Sequence, residues 1–165
     1  MKAVVVYESL WGNTAAVAQA IAEGIGPGTP ALTTDQASAA VLAGADLVVA
    51  GAPVIAFGLP SESMLTNLAA DPGKAPTPPD LAHPSLRSWL AALPAGHGQA
   101  AAFETGLRWS PGGATGAISR GLKAAGYEPA VKSARFVVTG TYGPLRQGEL
   151  DKARAWGAAL VEAVS

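Results

Sequence analysis

The sequence predicts one α/β domain built on an open, doubly wound, five-stranded parallel sheet. Short apolar runs alternate with amphipathic stretches along all 165 residues. The runs are continuous rather than alternating, as in strands covered by helices on both faces. No internal repeat or linker divides the chain, so residues 1–165 are read as a single domain. A domain of this length buries roughly 70% of the surface its unfolded chain exposes and needs no covalent staple.

The first strand is Ala3–Tyr7. Val17, Ile21 and Ile25 then recur every four residues and mark one face of a helix, which Gly24 and Gly26 stop. Residues 31–34 form a weak second strand, and 36–42 a short helix ending near Gly44. Residues 46–51 are the third strand. The long segment 53–84 is interrupted by Pro60, Pro72, Pro76, Pro78 and Pro79, with a short helix over 61–70 and a mobile surface loop over 71–80. A helix over 84–93 places Pro84 in its first turn, where a missing N–H costs little, and Leu86, Trp89, Leu90 and Leu93 on its core face.

Residues 99–103 make the fourth strand. Ser110-Pro111-Gly112-Gly113 leads into a helix carrying Ile118 and Leu122, which ends at Gly126. The fifth strand is 136–139, with 130–132 as an earlier piece of it, and a terminal helix covers 148–164. Trp89 and Trp156 fall at core spacing on helices.

Composition excludes several functions. Charged residues are 14% of the chain, against about 25% in average proteins. The net charge of -1, from 11 basic and 12 acidic residues, provides no basic field for nucleic acid or an anionic membrane. With no cysteine, disulfides, thiol nucleophiles, iron–sulfur clusters and cysteine zinc sites are excluded. His83 and His97 lie in loops beside Pro or Gly and are read as surface side chains, so no metal site is expected. The apolar run after Met1-Lys2 is too short for a signal-peptide core, and no stretch approaches the ~20 residues of a membrane helix. A cytoplasmic setting is the expectation.

Doubly wound sheets bind ligands outside the carboxyl ends of their strands, which here directs attention to loops 8–14, 52–60, 104–112 and 140–147. The first reads Glu8-Ser9-Leu10-Trp11-Gly12-Asn13-Thr14, between a strand and a helix. Ser9, Asn13 and Thr14 supply polar donors, Gly12 permits close backbone approach, and the following helix directs N–H groups and its dipole at an anion. Neither the Walker pattern nor G-x-G-x-x-G is present. The loop therefore suits a monophosphate held by neutral donors. Equally, Asn13 or Thr14 capping the helix, with Gly12 making the turn, accounts for the same residues.

Other candidates are weaker. Glu8 and Glu104 end the first and fourth strands and are read as capping or solvated carboxylates rather than general bases. Trp109, in Arg108-Trp109-Ser110, suits either ligand contact or a surface role, and Arg108 suits an anionic substrate. The run Gly24-Ile25-Gly26-Pro27-Gly28 follows a helix and is a stop rather than a dinucleotide loop. Ser9 lacks the G-x-S-x-G elbow of a catalytic nucleophile.

The run Tyr7-Glu8-Ser9-Leu10-Trp11-Gly12-Asn13-Thr14 at the end of the first strand resembles the flavodoxin phosphate loop, [ST]-x-[T or aromatic]-G-N-T. Gly51-Ala52-Pro53 followed by Phe57-Gly58 is similar to the second flavin loop of that family, G-[SCA]-P-T. The resemblance implies a flavodoxin-like sheet of strand order 2-1-3-4-5 and a non-covalently bound FMN. By position, Ser9, Leu10, Trp11, Gly12, Asn13 and Thr14 would surround the phosphate. Pro53, Val54, Ile55, Ala56, Phe57 and Gly58 would flank the ring. Thr105 and Gly106, in a loop after the fourth strand, would approach the pyrimidine edge, and Trp109 would cover a ring face. A flip of the Phe57–Gly58 peptide toward flavin N5 is expected, since Gly58 tolerates either sign of φ.

The chain departs from the family pattern at Val54 and Ile55, where polar or aromatic residues are usual, leaving ring stacking to Phe57, Trp109 or Trp11. It also lacks the strongly acidic surface of electron-carrier flavodoxins, so a redox partner protein or reductase would be recognised by shape and apolar contact. The leading expectation is an FMN-binding electron-transfer protein. The alternatives are an NAD(P)H-dependent quinone or flavin reductase, oligomeric if the 60–84 segment forms a contact, and a flavin-free interaction module on the same fold.

Overall fold

A computed structural model describes residues 1–165. Six strands form one parallel sheet: β1 (Ala3–Tyr7), β2 (Ala31–Thr33), β3 (Leu47–Pro53), β4 (Gln99–Leu107), β5 (Glu128–Pro129) and β6 (Ala134–Val138). Their order is β2-β1-β3-β4-β5, and β6 also pairs with β4. The expected fifth strand is thus split into two pieces along one edge. Glu128 and Pro129 pair with Gln99 and Ala100, whereas Ala134 to Val138 pair with Phe103 to Leu107. The strand order is the expected one, and the early piece lies just before 130–132.

Six helices cover the sheet: α1 (Asn13–Ile25), α2 (Ala39–Leu42), α3 (Glu62–Ala70), α4 (Leu86–Ala91), α5 (Thr115–Ala124) and α6 (Glu149–Val164). Because side chains alternate across a strand, each strand feeds both layers. Val5, Val49, Ala101, Phe103 and Phe136 face Val17 and Ile21 of α1 and Leu160 of α6. Val4, Val6, Val48, Ala50 and Ala102 face Leu86 and Trp89 of α4 and Ile118 and Leu122 of α5. Trp89 and Trp156 both pack against these cores, and Trp89 Nε1 donates to the Ala37 carbonyl.

Four local expectations change. Strand β4 continues past Phe103 to Leu107, because Pro53 on one side and Phe136 on the other both pair with Thr105. Pro84 precedes the helix; Ser85 is the N-cap of α4 and accepts from Ser88 N. The expected mobile loop over 71–80 is tied back to the first loop. Trp11 Nε1 donates to the Thr77 carbonyl at 3.1 Å, and Asp80 N donates to the Leu10 carbonyl at 2.8 Å. His97 is exposed, but His83 is half-buried with Nδ1 2.8 Å from Asp35 Oδ1.

Candidate functional site

The carboxyl ends of β1, β3, β4 and β6 open onto a cavity of about 190 Å³. All the residues expected at a flavin line it except Gly12, Gly58 and Trp109. Leu107, Ser110, Val138 and Thr141 complete the wall. Val138 read as a strand residue of a covered sheet and Leu107 as an unremarkable member of loop 104–112; their position at the ends of β6 and β4 brings both here.

The floor is the loop between β1 and α1. Gly12 sits at φ +94° as the N-cap of α1, a conformation glycine adopts at little cost. Helices α2, α3 and α4 each begin with a serine that caps a backbone N–H. Gly12 has no such side chain, and Asn13, Thr14 and Ala15 keep their N–H groups without an acceptor in the chain. The N–H groups of Leu10 and Trp11 are also unpaired, while Gly12 N donates to Ser9 Oγ at 3.1 Å. The capping alternative for Asn13 and Thr14 therefore fails, because their side chains point elsewhere. Asn13 Nδ2 donates to the Tyr142 carbonyl, and the Thr14 hydroxyl meets that of Thr105.

One wall is the 55–58 turn. Ile55 and Gly58 exchange both backbone hydrogen bonds, at 2.9 and 3.1 Å, and close a two-residue turn. Its central residues, Ala56 (φ 46°) and Phe57 (φ 70°), both occupy the left-handed region that normally selects Asn or Gly. Two side chains held there cost of order 1–3 kcal/mol each, so the surroundings must hold the turn in place. Gly58 N donates to Ile55, and the Phe57 carbonyl accepts from Gly113 N at 3.1 Å. The Phe57–Gly58 peptide is thus tied at both atoms, contrary to the freedom expected of it. The unpaired peptide of the turn is Ala56–Phe57.

The second wall is β4 with the loop after it. Thr105 and Gly106 are buried strand residues rather than loop residues. Trp109 is 83% exposed and does not line the cavity, because Arg108 and Trp109 form the outside of the turn, with the guanidinium 4.8 Å from the ring centroid. Trp11 does line it, standing edge-on to Tyr142 at 4.8 Å. Phe57 lines it too and remains 65% exposed.

The two carboxylates expected at strand ends both cap helices, although Glu104 lies within β4 rather than at its end. Glu8 Oε1 accepts from Leu86 N of α4 at 3.1 Å, and Glu104 Oε2 accepts from Ala114 N and Thr115 N at the start of α5. Burial pushes Glu8 up to about 7; the Leu86 N–H pulls it down, Glu62 raises it and Arg87 lowers it. Glu8 lines a neighbouring cleft rather than the cavity, together with Gly12. No helix is long and apolar enough to cross a membrane.

Solved structures share this architecture. A flavodoxin from the domain Archaea matches with a TM-score of 0.66 and 20% identity, over 99% of each chain. Oxidised flavodoxin 1 of Bacillus cereus matches at 0.67 and 18% identity, over 98% of each. A flavodoxin, WrbA-like protein of Agrobacterium tumefaciens matches at 0.61 and 19%, over 99% of this chain and 96% of that one. No protein-family model matches the chain, and no curated protein matches it by sequence. At these identities the likeness establishes a shared fold.

Proposed function

We propose that this chain, which has the flavodoxin-like fold, binds FMN non-covalently at the β1–β3–β4 cavity and serves in electron transfer. The observation that carries the reading is the β1–α1 loop. It leaves the N–H groups of the cavity-lining Leu10, Trp11, Asn13 and Thr14 unpaired, beside the hydroxyl of Ser9, at a helix N-terminus. No lysine or arginine lines the cavity, so these neutral donors and the helix dipole would balance a phosphate.

The rest of the cavity fits a planar, largely apolar group. Val54, Ile55, Phe57, Leu107 and Val138 supply apolar walls, and Thr105 and Gly106 bring strand backbone to one edge. With Trp109 outside the lining, Phe57 and Trp11 are the aromatic residues able to cover a ring face. The cavity is smaller than the ~300 Å³ typical of a site closed around a whole ligand, so one edge of the ring would stay in solvent. Bound FMN would supply one- or two-electron redox chemistry, with potentials set by these walls and by backbone groups of the 55–58 turn. A redox partner would meet the exposed Phe57, Leu107 and Trp109 around the mouth.

Purified protein is expected to be yellow, or to turn so on addition of FMN with quenching of free flavin fluorescence. A colourless protein that leaves FMN fluorescence unchanged would sink the reading and leave the interaction-module alternative. The near-neutral charge, which gives a carrier little long-range steering toward a basic partner, supports a second reading as an NAD(P)H-dependent reductase. NADPH alone bleaches the flavin of such a reductase within turnover time, whereas a carrier needs a partner.

A further inference from the structure

The buried Glu104, besides capping α5, pairs with a partly buried arginine that has no role so far. Arg135 of β6 donates from Nε to Glu104 Oε1 at 2.7 Å. Its other nitrogens do not go to carboxylates. Nη1 donates to the carbonyls of Leu107 and Ser110, both at 3.0 Å, and Nη2 to that of Gly112 at 2.7 Å. One side chain therefore gathers the carbonyl that ends β4 and two carbonyls of the loop between β4 and α5, while Glu104 holds the far end of that loop through Ala114 N and Thr115 N. A planar guanidinium suits this fan of acceptors; a lysine ammonium is a single point.

The loop so held reaches the 55–58 turn. Gly113 N donates to the Phe57 carbonyl, and Gly112 lies so close that a Cβ there would stand 2.2 Å from the same oxygen. A Cβ at Gly113 would stand 2.9 Å from Glu104 Oε2, so the two glycines bring the turn, loop and ion pair together. The turn carries two residues in the left-handed region, and the Gly113 hydrogen bond is its only backbone tie to another element.

We propose that Arg135 is a positioning residue for the cavity: through the 107–113 loop it holds the Phe57 carbonyl, and so keeps the 55–58 turn in its left-handed form as a wall of the site. Its effect on flavin rests on the reading given above; its effect on the turn does not.

Amide hydrogen exchange of the flavin-free protein tests the second point directly, with Arg135→Met and Arg135→Lys as variants. Arg135→Met is expected to lose at least tenfold in protection at Gly113, Ile55 and Gly58, while amides of β1 and β3 keep theirs. Arg135→Lys, which retains the charge beside Glu104 but not the fan, is expected to show a smaller loss at the same three amides; it decides the matter if the Met variant does not fold. Arg154→Ala, which removes a surface ion pair with Glu23, serves as the control and leaves all three unchanged. Unchanged protection at Gly113, Ile55 and Gly58 in either folded Arg135 variant would overturn the proposal. In FMN titrations the Met variant is expected to bind at least tenfold more weakly, with a shifted midpoint potential. If the wild type takes up no FMN, the flavin reading fails and the exchange result still decides the role of Arg135.

Discussion

The hydroxyl of Thr14, in the first turn of α1, lies 2.8 Å from the hydroxyl of Thr105, in β4, and both residues are buried. This contact, 91 residues apart in the chain, joins the loop proposed for the phosphate to the strand proposed for the ring edge. Replacing either threonine by valine leaves the other hydroxyl buried and unpaired, which costs about 1–3 kcal/mol. The double valine variant removes both polar groups and is expected to recover much of that loss. Urea denaturation of the two single variants and the double variant, without flavin, measures the coupling; strict additivity would mean the hydroxyls do not sustain one another.

Asn13 makes a second prediction. Its Nδ2 donates to the Tyr142 carbonyl, so Asn13→Asp removes that tie and sets a carboxylate beside the proposed phosphate position. FMN affinity is expected to fall at least tenfold, and riboflavin affinity by much less, since riboflavin has no phosphate to repel. Equal losses for the two ligands would show that the loop geometry, rather than charge at a phosphate, is what the substitution damages.

Glu8 predicts the direction of a pH dependence. Its carboxyl is raised from 4.5 to about 7, mainly by burial, so between those values the folded chain holds a proton that the unfolded chain has released. Its contribution to stability is full below pH 4.5, declines as pH rises and is gone above about 7. The shift corresponds to about 3 kcal/mol. Glu8→Gln retains an acceptor for Leu86 N but cannot ionise. The variant is expected to match the wild type near pH 4.5 and to be the more stable of the two at pH 8. Parallel unfolding curves at the two pH values would show that Glu8 ionises without penalty.

Two glycines separate backbone strain from crowding. A Cβ at Gly12 meets nothing within 4 Å, so Gly12→Ala costs only the left-handed backbone, about 1–2 kcal/mol. A Cβ at Gly51 would lie 2.2 Å from the Phe103 ring, so Gly51→Ala overpacks the core by about 1–3 kcal/mol. Adding Phe103→Leu is expected to recover stability for Gly51→Ala and none for Gly12→Ala. Thermal unfolding of the four variants checks this.

Much of the fold was legible because it is local. Val17, Ile21 and Ile25 repeat at helical spacing, the Ala3–Tyr7 run is strand-like, and the Gly12 turn falls between them. The length of β4 was less legible, since Gly106 disfavours a strand, and the segment becomes one when Pro53 and Phe136 flank Thr105. Trp109 was misleading for a related reason. Its neighbours Leu107 and Ser110 line the cavity, while the turn between them points its ring outward.

The sequence by itself determined the layering, the strand order implied by the resemblance, and the loop whose free N–H groups form the floor of the site. The layering and the loop follow from side-chain periodicity and from one glycine before a helix, whereas the strand order came with the resemblance alone. Only the tertiary structure decided which polar groups meet there. It tied the Phe57–Gly58 peptide at both atoms, set Thr14 against Thr105, and joined Arg135 to Glu104 and the loop beyond it. Hydrogen bonds are short and directional, so partners far apart in the chain become definite only once the sheet has brought its strand ends together.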